Sequence, residues 1–141
     1  MNLGLNYWSF NPIYAFTYLG DKDSPIPGFE VSMKLDYLIN TVNSATGYTS
    51  GQQFGVNYLV GQHIGKWGFA VNGQWMYQTT DDKIRNEPDN FNGNRTSWFS
   101  IGPAIQYLIG KGCINAKYVW DVQNKNGPEI QKLVVKFIYP F

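Results

Sequence analysis

Histidine is the side chain best suited to moving protons at neutral pH, and this sequence holds one, His63. A two-histidine mechanism or a histidine-based metal cluster is thereby excluded. Acyl-transfer chemistry needs a histidine beside a serine, with an acidic residue to orient the ring. His63 stands two residues before Gly65-Lys66, a turn dipeptide, and no serine falls at the matching end of a neighbouring segment. It reads as a turn or interface residue, and no catalytic residue is assigned. The run Thr79-Thr80-Asp81-Asp82-Lys83, with Glu87 and Asp89, offers carboxylate oxygens of the kind a hard cation such as Ca²⁺ takes. It lacks the glycine-spaced loop of a dedicated calcium site, so it reads as a solvated polar loop. Cys113 is the single cysteine, which rules out an intramolecular disulfide, and it reads as an inert small residue beside a turn. Neither a metal nor a cofactor is expected.

The spacing that does suggest a function belongs to Glu30, Lys34, Asp36, Lys117, Asp121, Lys132 and Lys136. Each falls at the same phase of an alternating segment, so all share one face of whatever those segments build. Charges enclosed by a small barrel must pair or reach water. Two readings stay open: a salt-bridge network that fills the interior, or a polar path that selects permeants. The mixed signs predict no strong preference for anions or cations.

The segments that position these charges alternate with period two, the signature of β-strands. Leu133, Val135, Phe137, Tyr139 and Phe141 share one phase, as do Ile114, Ala116, Tyr118 and Trp120. The same holds for Phe99, Ile101, Pro103, Ile105 and Tyr107, and for Trp67, Phe69, Val71, Trp75 and Tyr77. Phe54 to Val60 and Phe29 to Ile39 repeat the pattern. A seventh strand is expected over residues 12–19, where the face taken by Tyr14, Phe16 and Tyr18 is ambiguous. Residues 2–8 could add a partial eighth, although Asn11-Pro12 makes a poor hairpin. Pro103 removes a ladder hydrogen bond and predicts a bulge or bend. Connections alternate between tight turns, at Gly65-Lys66 and Gly110-Lys111-Gly112, and long polar loops at 41–52, 79–97 and 122–128, with a medium one at 20–28.

Composition agrees. Hydrophobic residues make up 43% of the chain, yet mean hydropathy is −0.31, so apolar and polar residues are interleaved. No run approaches the roughly 18 apolar residues of a membrane-crossing helix. Net charge is +1 with the basic residues scattered, so nucleic acid is not an expected partner.

A soluble barrel also alternates, but it turns its apolar face inward and a charged face to water. Here the less apolar face is rich in Gly, Ala, Ser, Asn and Gln, and the other is almost free of charge. Aromatics stand near the strand ends at Tyr37, Trp67, Tyr77, Tyr107, Trp120 and Tyr139, as in the girdle of a membrane barrel. The expected fold is all-β, an antiparallel up-and-down meander of seven to eight strands forming part of a transmembrane outer-membrane β-barrel in residues 1–141. Alternatives are a structural barrel with a filled lumen and a soluble ligand-binding β-barrel. Met1 is followed at once by Asn2-Leu3-Gly4-Leu5, without a secretory signal, and seven strands ending on the periplasmic side would place the amino terminus outside the cell. Both features predict a truncated chain, the carboxy-terminal part of a longer barrel.

The ending Phe137-Ile138-Tyr139-Pro140-Phe141 resembles the terminal signature of outer-membrane barrels, with aromatics at Phe137, Tyr139 and Phe141. That resemblance implies recognition by the barrel assembly machinery. More specifically, the chain resembles the carboxy-terminal half of the MetA-pathway of phenol degradation family. The matching stretches include Asn2-Leu3-Gly4-Leu5-Asn6-Tyr7-Trp8, Tyr48-Thr49-Ser50-Gly51 and Gly65-Lys66-Trp67. They continue through Gln78-Thr79-Thr80-Asp81-Asp82, Gly93-Asn94-Arg95, Ile101-Gly102-Pro103, Ala116-Lys117-Tyr118, Pro128-Glu129 and Tyr139-Pro140-Phe141. The chain departs from the pattern at Asn124-Lys125-Asn126-Gly127, where the family's loop contains more arginine. The resemblance implies a barrel of about twelve strands in the outer-membrane lipid of a bacterium, serving uptake of small hydrophobic or aromatic compounds.

Overall fold

A computed structural model of the chain describes residues 6–89, 93–127 and 129–140. Strands β1 (Ser9–Phe10) and β2 (Ile13–Leu19) lie against β3 (Phe29–Asn40). Then come a short β4 (Tyr48–Thr49), β5 (Gln53–Ile64), β6 (Trp67–Gln78), and two more short strands, β7 (Lys83–Ile84) and β8 (Glu87–Pro88). Strands β9 (Ser97–Ile109), β10 (Gly112–Lys125) and β11 (Gln131–Ile138) complete the described residues, which contain no helix. The long strands pair antiparallel in the order β2-β3-β5-β6-β9-β10-β11, the seven-strand meander that the alternation predicts. Among the described residues β2 and β11 are the two edges and do not meet.

Strand β1 is a continuation of β2. Phe10 faces Ile39 and Ile13 faces Asp36, the same register on either side of Asn11-Pro12. Pro12 has no N–H to give the ladder, while its carbonyl still accepts from Tyr37 N at 3.2 Å. The proline is therefore a gap in one strand, not a hairpin. Residues 6–8 form no eighth strand, and residues 2–5 lie outside the described residues.

The tight turns follow from glycine. Gly65 and Gly110 open two-residue turns with φ of +60° and +57°, the geometry a II′ hairpin demands at its first central position. The opposite end is more structured than the polar composition of its loops predicts. Strands β4, β7 and β8 form a second small sheet there, and Arg85 and Asn86, both at positive φ, make the β7–β8 turn.

Register carries each face across the sheet. Tyr37, Phe54 and Tyr77 are successive partners on one face, as are Val31, Val60, Val71 and Pro103. Tyr14, Phe16 and Tyr18 face Leu35, Met33 and Val31, which assigns them to the apolar side. Gly73 interrupts that side on β6, and Tyr58 directly opposite covers it. The Tyr58 ring stacks on Phe99 at 6.2 Å, and its hydroxyl donates to Ser100 O at 3.1 Å.

The burial of the two faces is inverted relative to a soluble domain. Phe69 on the apolar face is 50% exposed and Leu133 is 68% exposed, while Asn72 on the polar face is only 6% exposed. Among the described residues Met76 is the one buried large hydrophobic side chain, whereas Asn40, Asn72, Gln78 and Ser100 are buried polar ones. Soluble domains bury the opposite set. The accessible surface is 10015 Å², against about 7,400 Å² for a folded soluble monomer of 16.1 kDa.

Pro103 acts differently from the expectation. Its pairing with Val71 on β6 is intact, but the ladder to β10 loses its rungs between Lys117↔Ala104 and Trp120↔Ile101. The register is the same on both sides, so the missing N–H opens a gap without an inserted residue. The bulge lies further along, between Asp121 and Gln123. Beside the gap, a Cβ on Gly102 would run into the Tyr118 carbonyl, so glycine here lets β10 approach closely.

Candidate functional site

The polar face is the concave side of the sheet. A cavity of about 260 Å³ is lined by residues running from Glu30 on β3 through the intervening strands to Lys136 on β11. Its floor follows two adjacent rungs. In one, Glu30, Gly61, Ala70, Ala104, Lys117 and Val134 are successive partners. In the other, His63, Gly68, Gln106, Asn115 and Lys136 follow one another. Both rungs start at an acid or histidine, cross small or amide residues, and reach a lysine.

All seven charges singled out in the sequence lie on this face by register. The structure does not join them into one network. Lys34 pairs with Asp36 at 3.3 Å on their own strand. Glu30 accepts from Ser32 Oγ at 2.7 Å and pairs with His63 Nε2 at 2.8 Å. Asp121 is occupied by its loop, accepting from Ile130 N at 2.9 Å and Asn124 Nδ2 at 3.4 Å. Lys117, Lys132 and Lys136 are exposed, and no ion pair holds them among the described residues. Ion pairing, more than sign, is what is sorted in space. Glu30, Lys34 and Asp36 on β3 are ion-paired, Asp121 on β10 is turned to its loop, and the lysines without ion-pair partners lie on β10 and β11.

His63 is not merely a turn residue. It projects onto the polar face opposite Gly68 and joins the cavity wall through Glu30. Glu30 and His63 are 33 positions apart, and only the β3–β5 register brings them together.

The aromatics fall into two groups. Trp67 and Tyr107 are cross-strand partners beside the tight turns, their rings 4.5 Å apart, and Tyr139 stacks on Phe137 at 6.3 Å near the same end. Tyr37, Tyr77 and Trp120 stand toward the long loops, where Tyr37 Oη donates to Gln52 Oε1 at 2.7 Å and Trp120 lies 5.7 Å from Tyr118. Of the terminal signature, Phe137 and Tyr139 share the apolar face, and Phe141 lies outside the described residues.

At the loop end Asp82 gathers three donors. Its carboxylate accepts from Tyr48 Oη and Gly51 N, both at 2.7 Å, and from Gln78 Nε2 at 2.8 Å. Asp81 pairs with Arg95, and Asp89 accepts from Asn94 Nδ2 at 3.2 Å. Burial and the hydrogen bond to Asp82 push the Tyr48 hydroxyl above the usual phenol range. Asp81, Asp82 and Asp89, three of the carboxylates considered for a cation, thus tie the loops together. Among the described residues no group of three His, Cys, Asp or Glu is placed to hold a metal ion. Cys113 carries a free thiol that accepts from Asn115 Nδ2 at 3.4 Å.

Comparison with known proteins bears on the whole arrangement. The family described as "Putative MetA-pathway of phenol degradation" matches residues 1–137. No curated protein and no solved structure matches the chain.

Proposed function

Because the chain belongs to this MetA-pathway of phenol degradation family, we propose that it forms part of the wall of a bacterial outer-membrane barrel that passes or captures small apolar or aromatic molecules, with no covalent chemistry of its own. The inversion of the two faces carries this reading. From Tyr14 to Tyr18, Phe29 to Ile39, Phe54 to Ile64, Trp67 to Tyr77, Phe99 to Ile109, Ile114 to Trp120 and Leu133 to Tyr139, the apolar face has no Asp, Glu, Lys or Arg. Exposing such a face to water forfeits roughly 25 cal/mol for each Å² of apolar surface, and lipid removes that cost. Strands β3, β5 and β6 have 12 residues each, β9 has 13 and β10 has 14. Twelve residues tilted by about 45° rise roughly 28 Å, close to the hydrocarbon thickness of a bilayer.

Lipid also demands closure, since an unpaired backbone group in hydrocarbon costs several kcal/mol. β2 and β11 run in the same direction, because each step between them is antiparallel. A closed antiparallel barrel needs an even strand number, so an odd number of further strands must join these edges, and about five would give the twelve or so that the resemblance implies. Two copies related by rotation about the barrel axis would meet in parallel seams instead. The Phe137–Tyr139 stripe is the part of this wall that the assembly machinery would grip.

Conductance across a planar bilayer tests the reading. The closed barrel, this wall together with the strands that complete it, should insert and give discrete current steps. An inserted, folded barrel that gives none would be a wall without passage. A protein that folds and stays monodisperse without detergent would be no membrane barrel.

A further inference from the structure

The gathering of lysines without ion-pair partners on the concave face goes further than the reading above, on which its relevance to passage rests. Lys117 faces Val134, which places Lys132 and Lys136 at its two diagonal positions on β11. Diagonal neighbours lie about 7–8 Å apart, so these ammonium groups repel one another. Among the described residues no carboxylate forms an ion pair with them. Glu30 lines the far wall of the same cavity, but its carboxylate is already paired with His63. Asp121 is about 13 Å along β10 from Lys117 and is turned to Ile130 N. Lys136 faces Asn115, with Gln106 beyond it, and around the two lysines lie the small-residue floor of Gly68, Ala70 and Ala104 and the apolar wall of Val134 and Ile138. The cavity of about 260 Å³ is just below the roughly 300 Å³ at which pockets for larger ligands begin, a size for one ring.

We propose that this cavity is a binding site for a one-ring aromatic carboxylate. Its oxygens are held by Lys117 and Lys136, and its ring lies on the Gly68–Ala70–Ala104 floor. An inorganic anion would satisfy the lysines but leave the floor uncovered, and a neutral aromatic would cover the floor but leave the lysines in mutual repulsion. The site therefore selects for both properties in one molecule, and the barrel prefers aromatic acids to neutral aromatics.

Titration calorimetry on the full chain folded in zwitterionic micelles, corrected against empty micelles, tests this with benzoate, benzamide and inorganic phosphate. Benzoate should bind at least about tenfold more tightly than either of the others. The double variant Lys117→Gln/Lys136→Gln should lose about tenfold or more of the benzoate affinity, while Lys117→Arg should keep most of it. Equal binding of benzoate and benzamide overturns the proposal, as does phosphate binding as tightly as benzoate, or benzoate affinity unchanged in the double variant. If that variant does not fold, the three-ligand comparison on the unaltered protein decides alone. Benzoate binding without conductance would sink the passage reading and leave the site standing; conductance without benzoate selectivity would do the reverse.

Discussion

Val71 and Asn72 are neighbours on β6 and opposites in environment. Val71 is 48% exposed on a face without charge, while Asn72 is 6% exposed and donates to Gly102 O at 2.9 Å. The same ladder holds both, so backbone pairing does not distinguish them. What distinguishes them is the chemistry of the face each belongs to, and, on the function proposed above, the solvent that face meets. The apolar face offers mainly dispersion and aromatic contacts, such as Trp75 edge-on to Phe54 at 6.1 Å, with tyrosine hydroxyls as its hydrogen-bonding groups. The polar face offers amides, small residues and charges that need water or one another. A single strand thus reads as two half-sequences, one suited to lipid and one to a lined interior.

Placing a charge on each face would break this contrast most sharply. Val71→Arg should cost about 2–4 kcal/mol of folding stability in lipid vesicles, because Val71 lies in the middle of its strand. Gln74→Arg, on the polar face of the same strand, should cost less than about 1 kcal/mol. Denaturant titration of both variants checks the difference, and equal costs would remove the assignment of faces.

The two ends of the sheet sharpen it. The tight turns depend on one glycine each, whereas the loop end depends on the Asp82 carboxylate and its three donors. Asp82→Ala should leave Gly51 N and Gln78 Nε2 without that acceptor, costing about 1–3 kcal/mol and speeding protease cleavage in 79–96 but not at Gly65-Lys66. Tyr48→Phe removes one of the donors and should cost about 1 kcal/mol at neutral pH. The folded-state pKa of Tyr48 is raised, so its contribution is complete below the unfolded phenol value of about 10 and fades as pH climbs through the folded value. The difference between Tyr48→Phe and the unaltered protein should therefore shrink only in strong alkali, which stability curves against pH would record.

Much of this was legible in the residues because period two leaves an unmistakable trace wherever large and small side chains alternate over ten or more positions. β5, β6, β9 and β10 are of that kind, and so are the turns at Gly65 and Gly110. β2 was harder, since Ile13 and Leu19 on its polar-facing phase are as apolar as Tyr14, Phe16 and Tyr18, and only its pairing with β3 separates them. The sheet of β4, β7 and β8 was not legible. Strands two residues long have no period, and Arg85-Asn86 is not a dipeptide that advertises a turn. Of the candidate site, the shared face of the charges could be read, but not their sorting. Whether Lys117 meets Lys132 and Lys136 or a carboxylate depends on inter-strand register, which one strand's sequence does not contain. The same holds for Glu30 with His63, and for the bulge at Asp121–Gln123, which lies away from Pro103.

Tryptophan quenching tests the central claim most directly. Trp75 lies on the apolar face opposite Val56 and Phe99, and Trp98 lies on the polar face opposite Met76. Variants retaining only one of these tryptophans, folded into vesicles of brominated lipid, place one reporter on each side of the same wall. Strong quenching of Trp75 with Trp98 nearly untouched is the predicted result. Equal quenching of the two, or quenching of neither, would contradict a sheet that turns its apolar face to lipid.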